Sequence, residues 1–150
     1  MDGRKFFSSF HSIDFHESPL TWKEYKFSSN SSFPMARAAH GGVTIESSST
    51  LIIFGGLSRQ GQSLNDTWSW SIIDQQWTEI ICRSVPRPRL DFAYCLVELK
   101  NNEKDPSETI PCLFIHGGTD TQGEVFDDCF LLRLTFEHDV HLQTSNQENS

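Results

Sequence analysis

The sequence predicts an all-β fold of repeated antiparallel sheets, and three observations carry that prediction. An apolar run, Leu51-Ile52-Ile53-Phe54, stops at Gly55-Gly56, and Leu113-Phe114-Ile115-His116 stops in the same way at Gly117-Gly118. Ten residues after each double glycine comes an acidic residue and two later a large aromatic, Asp66 with Trp68 and Asp128 with Phe130, so both Gly56 to Gly118 and Asp66 to Asp128 span 62 residues. Tryptophans recur at the expected close of a unit, Trp22 and Trp77, 55 residues apart. Repetition on this scale points to a solenoid or a propeller.

Each element follows in chain order. Phe10 to Phe15 alternates weakly, as a strand does. Glu17-Ser18-Pro19 is a turn signal. Leu20 to Phe27 reads as an outer strand with Trp22 as its buried anchor; Leu20, Trp22 and Glu24 share one face, and Thr21, Lys23, Tyr25 and Phe27 the other. Ser28 to Pro34 is a polar connection. Ala36 to Ile45 is a strand whose small residues suit close approach of neighbouring backbones. Glu46 to Thr50 is a loop, and Leu51 to Phe54 is apolar on both faces, hence central. Leu57 to Ser63 is expected as a loop, Asp66 to Ile73 as the third strand, Asp74-Gln75-Gln76 as a turn and Trp77 to Ile81 as the fourth strand. Arg83 to Arg89 repeats Pro34 to Arg37 at an offset of 52, and Leu90 to Leu99 opens the next unit. Lys100 to Thr109 is a polar insertion that accounts for the difference between the two offsets. Ile110 to Ile115 and Val125 to Leu134 hold its second and third strands. Its fourth strand is expected within Phe136 to Leu142, although Asp139 stands where the tryptophan would fall.

Composition bounds the function. The net charge of −8 is lopsided: residues 1–99 carry 9 basic and 10 acidic side chains, residues 100–150 carry 3 and 10. Such a surface repels phosphate backbones, so no nucleic-acid partner is expected. No apolar run reaches the length of a membrane span, and Met1 to Phe7 lacks the sustained apolar core of a signal peptide. Cys82, Cys95, Cys112 and Cys129 form no CxxC pair and no metal-ligand spacing. Three of them fall inside strands, where a thiol acts as a small hydrophobe. A reducing compartment, cytoplasm or nucleus, is the expectation.

These residues resemble the kelch repeat, whose unit is a four-stranded β-propeller blade. Pro34, Arg37, His40, Gly55, Gly56, Asp66, Trp68 and Trp77 match one unit over residues 34–81. Pro86, Arg89, Gly117, Gly118, Asp128 and Phe130 match a second over 86–134, with Phe92 in place of the histidine. Residues 10–27 are similar to the last half of a blade. The resemblance implies an all-β, kelch-type but incomplete propeller. It is divided into an N-terminal segment with half a blade (1–27), a complete blade (28–81), a second blade with the insertion 100–109 (82–142) and a tail (143–150). Four to eight blades close a propeller. The chain is therefore expected to be a short form of a longer protein, or to self-associate through open blade faces.

In this frame the double glycines take positive φ, Asp66 and Asp128 accept hydrogen bonds from the turn amides, and Trp22 and Trp77 fill the space between blades. The resemblance places Arg37 and Arg89 at the mouth of the central channel, facing acidic peptide segments of a protein partner. A guanidinium fork suits a carboxylate. The alternative is an intramolecular pair with Asp66, Glu79 or Asp91, or a backbone contact. Arg59 and Gln62, on the loop after the double glycine, are further candidates for the same surface.

Other chemistry finds less support. His116-Gly117-Gly118 would need a Gly-x-Ser-x-Gly elbow to serve as an oxyanion-hole segment, and none exists. His138 and His141 lack a third soft ligand, and Glu103, Asp105 and Glu108 lack calcium-loop spacing. The expected function is a non-enzymatic interaction module that binds a protein through inter-strand loops and uses no cofactor. The alternatives are a metal-assisted or specifier-type kelch protein, and a truncated isoform without independent function.

Overall fold

The computed structural model describes residues 6–27, 32–102 and 105–134, and it is all-β. A hairpin joins β1 (Phe10–Ile13) and β2 (Trp22–Tyr25). A five-stranded antiparallel sheet follows. In it β3 (Arg37–Ala38) and β4 (Gly41–Ile45) both pair with β5 (Thr50–Ser58), which pairs with β6 (Ser63–Ser71), which pairs with β7 (Gln76–Ile80). A third sheet has β9 (Asp105–His116) between β8 (Ala93–Asn102) and β10 (Cys129–Arg133). These antiparallel sheets are consistent with incomplete propeller blades of the kelch type.

The central position of β5 follows from its sequence. Alternate residues point to opposite faces, and here both faces are apolar and both are used. Ile52 and Phe54 enter a core with Val43, Ile45, Phe92, Leu113, Ile115 and Leu134. Ile53 and Leu51 face the other way, onto Trp68, Trp70, Trp77, Phe10, Tyr25 and Phe27. The two cores are the two gaps between sheets. Full burial of a side chain such as Ile52 or Phe54 is worth about 2 kcal/mol.

Several boundaries differ from those expected. The first strand of the complete blade is broken in two, because Ala39 lies in the left-handed region at φ 53°. Asp91 repeats this break at φ 53° in the next unit, 52 residues on. The stretch Leu57 to Ser63 is largely strand: Leu57 and Ser58 continue β5, Ser63 opens β6, and only Arg59 to Gln62 form the turn. The polar insertion Lys100 to Thr109 is strand in its described residues, since Lys100 pairs with Thr109 and Asn102 with Asp105, which lengthens the β8–β9 hairpin. The expected closing strand Phe136 to Leu142 and the tail 143–150 lie outside the described residues.

Trp22 requires a correction. It is 67% exposed and anchors nothing between the described sheets. Of the two faces of β2, the one that turns inward carries Tyr25, whose ring centroid lies 5.1 Å from that of Trp70. Phe10 sits 4.7 Å from the same indole. Strand alternation then forces Trp22 to the outer face. Trp77 is buried, and its ring lies 5.4 Å from Trp70.

The inner strand β4 and the start of β8 approach closely at Gly41, where a Cβ would meet the ring of Phe92, just before β8, at 2.6 Å and that of Tyr94 at 2.9 Å. The double glycines are similarly required. Gly56 has φ 100°, and a Cβ there would lie 2.6 Å from the Ala38 carbonyl oxygen; Gly118 has φ 93°, with the Leu90 carbonyl oxygen at 2.7 Å.

Candidate functional site

Two equivalent polar networks sit where the chain crosses from one blade into the next. In the first, Arg37 enters after the crossing segment, and its Nε donates to Met35 O at 3.2 Å. Its Nη1 donates to Gly55 O at 3.0 Å and to Asp66 Oδ1 at 2.7 Å, and Nη2 donates to Asp66 Oδ2 at 2.6 Å. In the second, Arg89 Nε donates to Arg87 O at 3.1 Å, Nη1 to Gly117 O at 2.8 Å and Asp128 Oδ1 at 2.6 Å, and Nη2 to Asp128 Oδ2 at 3.0 Å. The Arg37 side chain is 4% exposed and that of Arg89 0%. A planar fork meeting a planar carboxylate at two points gives strong, directional bonds. The second Nη1 bond ties that pair to the first glycine of each double glycine.

The placement of Arg37 and Arg89 corrects their reading as residues facing a partner: both forks are turned into the blade, each on the aspartate ten residues after its double glycine. Asp66 and Asp128 are corrected as well. Their carboxylate bonds go to guanidinium groups, and in the first blade also to Trp68 Nε1 at 2.7 Å, instead of to the turn amides. Burial pushes the Asp66 carboxyl up, but the hydrogen bonds from Arg37 and Trp68 outweigh it and hold the group below the usual carboxylate range. Asp128 is also held low, chiefly by its hydrogen bond from Arg89, against a smaller effect of burial. His40, at the same junction, is pushed down by burial and by the charge of Arg37.

Beyond these networks lie two exposed turns. In the first, Ser58 N donates to Gln62 O at 2.9 Å and Gln62 N to Ser58 Oγ at 3.1 Å, which leaves Arg59, Gln60 and Gln62 in solvent. In the second, Asp120 stands where Ser58 stands, 62 residues on, and its Oδ1 accepts from Gln122 N and Glu124 N at 2.8 and 2.9 Å. The turns touch: Thr121 N donates to Ser63 Oγ at 3.3 Å. Between them is a cleft of about 330 Å³ lined by Gln62, Ser63, Arg87, Thr121, Glu124 and Phe126. Arg87 and Glu124 pair across its rim at 2.6 Å.

The structure thus brings Gln62 into a surface with Arg87, Thr121 and Glu124. Sequence reasoning missed Thr121 and Glu124, although the 62-residue offset between Ser58 and Asp120 marks the second turn as a copy of the first. Among the described residues no group of three His, Cys, Asp or Glu side chains gathers within metal-binding reach. Glu103, His138, Asp139 and His141 lie outside the described residues. No helix among the described residues is long and apolar enough to cross a membrane.

The chain matches no family model. It is similar to an F-box/kelch-repeat protein of Arabidopsis thaliana, 28% identical over 128 residues, which are 80% of this chain and 23% of that protein. It is also similar to tRNA wybutosine-synthesizing protein 4 of Emericella nidulans, 26% identical over 133 residues, 81% of this chain and 12% of that protein. The chain therefore spans less than a quarter of the length of either relative. The likeness supports a kelch-repeat relationship and, in general terms, a protein-interaction module.

Proposed function

We propose that this chain is a non-enzymatic kelch-type module of the cytoplasm or nucleus, which holds a protein partner on the face made by its two adjacent turns. One observation carries the reading: successive blades set two short exposed turns side by side, around a cleft rimmed by Arg87 and Glu124. Loops displayed on a rigid sheet scaffold commonly carry recognition. The partner segment is acidic where it meets Arg59 and offers amide or hydroxyl groups where it meets Gln62 and Thr121. In this reading Arg37 and Arg89 support the face from behind and do not touch the partner.

The test compares affinity capture by the wild-type chain with capture by Arg59→Ala/Gln62→Ala/Arg87→Ala. All three side chains project from the surface, so the melting temperature should hold while specific partners are lost. An unchanged set of captured proteins removes the assignment.

A further inference from the structure

The four cysteines are free, and the structure sorts them. Cys112 is fully buried and Cys82 half-buried, and burial pushes both thiols up. Cys95 and Cys129 are exposed. They share one face of the third sheet: Cys129 stands opposite His116 and Cys95 opposite Phe114, and Phe114 and His116 are two apart on β9. In the preceding sheet the same face is packed. Offsets of 52 residues for Cys95 and 62 for His116 and Cys129 lead to Val43, Phe54 and Thr67, all buried. Where the first unit keeps packing groups, the second carries two thiols and an imidazole.

One of those thiols meets the imidazole. Cys129 Sγ lies 3.2 Å from His116 Nδ1, and Asp128 O lies 3.1 Å from the same nitrogen. A neutral Nδ1 accepts the thiol proton; once protonated it donates to Asp128 O and back toward the sulfur. A nucleophile, a base within reach and a third group that orients the base are the parts of an activated thiol. We infer that Cys129 is a modification site, whose thiol is taken by a low-molecular-weight disulfide R–S–S–R. Cys129 Sγ attacks one sulfur of the reagent. An Sγ–S bond forms, the reagent's S–S bond breaks, and its electron pair leaves on R–S⁻. His116 Nδ1 receives the Cys129 proton and passes it to that thiolate. Cys129 is thereby oxidised to a mixed disulfide, and half of the reagent is reduced to R–SH. Cys95 does not displace the adduct. β9 lies between the two cysteine strands, and two inter-strand spacings, about 9.5 Å, exceed the reach of a disulfide. Reversal therefore needs a thiol from outside, which a reducing compartment supplies.

The test treats the intact chain at neutral pH with dithiodipyridine, an uncharged disulfide, and follows each cysteine by mass spectrometry of the digest. Cys95 is the internal reference, exposed on the same face but opposite a ring with no base. An ordinary thiol is only a few per cent thiolate at neutral pH, so Cys129 should react roughly tenfold faster than Cys95. His116→Gln should bring Cys129 down to the Cys95 rate and leave Cys95 unchanged; a variant that merely loosens the fold would speed Cys95 and Cys112 instead. A second measurement needs no substitution. In concentrated urea, where His116 and Cys129 separate, the advantage of Cys129 in the wild-type chain should vanish. Equal rates of Cys129 and Cys95 in the folded wild type overturn the inference, as does an advantage that survives urea or His116→Gln.

Discussion

The two arginine–aspartate networks share one frame and differ in what surrounds the carboxylate. Around Asp66 the indole of Trp68 supplies a third hydrogen bond, and His40 stands at the junction. Around Asp128 the matching aromatic is Phe130, which has no donor, and Phe92 replaces the histidine. The second network compensates on the cation. The Arg89 guanidinium carbon lies 4.6 Å from the Phe126 ring centre and 5.1 Å from that of Phe130, an arrangement favoured by the ring quadrupole. What the two copies hold in common is therefore the fork, the glycine carbonyl and the carboxylate. The aromatics decide whether extra support goes to the anion or to the cation.

The largest expected effect tests that division. Arg89→Ala removes the guanidinium donors of Gly117 O and the Asp128 carboxylate, and it empties the space beside two aromatic rings. Removing one partner of a fully buried pair costs about 3–5 kcal/mol; the Asp128 side chain is 33% exposed, so water offsets part of that loss. Arg37→Ala should cost somewhat less, because Asp66 keeps the Trp68 donor. Urea unfolding of both variants at neutral pH checks the order, and equal losses would mean that the indole bond contributes nothing.

A smaller change sharpens the comparison by making the first blade resemble the second. Trp68→Phe removes one hydrogen bond to a carboxylate, a loss of about 1.5–3 kcal/mol. The pH dependence has a definite sign. Both aspartates titrate lower when folded than in the unfolded chain, where a carboxyl titrates near 4 (about 3.9). The stability they supply is complete above that unfolded value and is lost as the pH falls through the folded values. Trp68→Phe moves the folded Asp66 value back toward the ordinary one. Acid unfolding of the variant should begin at higher pH than in wild type, and the part of the stability gap owed to this bond should close once Asp66 is protonated in both. A gap that stays constant across that range would assign the loss to packing instead.

Much of this frame is visible in the residues alone. Leu51 to Phe54 is apolar at every position, which only a strand with neighbours on both faces can satisfy, and the 62-residue offset fixes the spacing of glycine and aspartate in both units. Asp66 is among the intramolecular partners that the sequence suggests for Arg37, but sequence spacing cannot choose between a carboxylate of the same blade and one of a partner. Trp22 was illegible for a different reason. Leu20 to Phe27 has large apolar residues on both faces, Leu20 and Trp22 on one, Tyr25 and Phe27 on the other, so alternation defines the faces but not which one turns inward. Lys100 to Thr109 looks like a loop because both faces of that hairpin are polar, and polar residues extend a ladder without leaving an apolar signature.

The smallest effect is expected at the rim, where the two units also differ in sequence. The positions of Arg87 and Glu124 are occupied in the first unit by Met35, 52 residues earlier, and Gln62, 62 residues earlier. The second unit thus has an ion pair where the first has none. Its side chains are 59% and 53% exposed, so water screens the attraction, and such a pair contributes at most about 1 kcal/mol. Arg87→Met/Glu124→Gln rebuilds the rim of the first unit on the second. A double-mutant cycle by urea unfolding should give a coupling within about 1 kcal/mol that shrinks further at about 1 M salt, where the screening length is about 3 Å. A coupling well above that, or one indifferent to salt, would mean that the pair is shielded and braces the turn, and the rim would then belong to the scaffold instead of the recognition face.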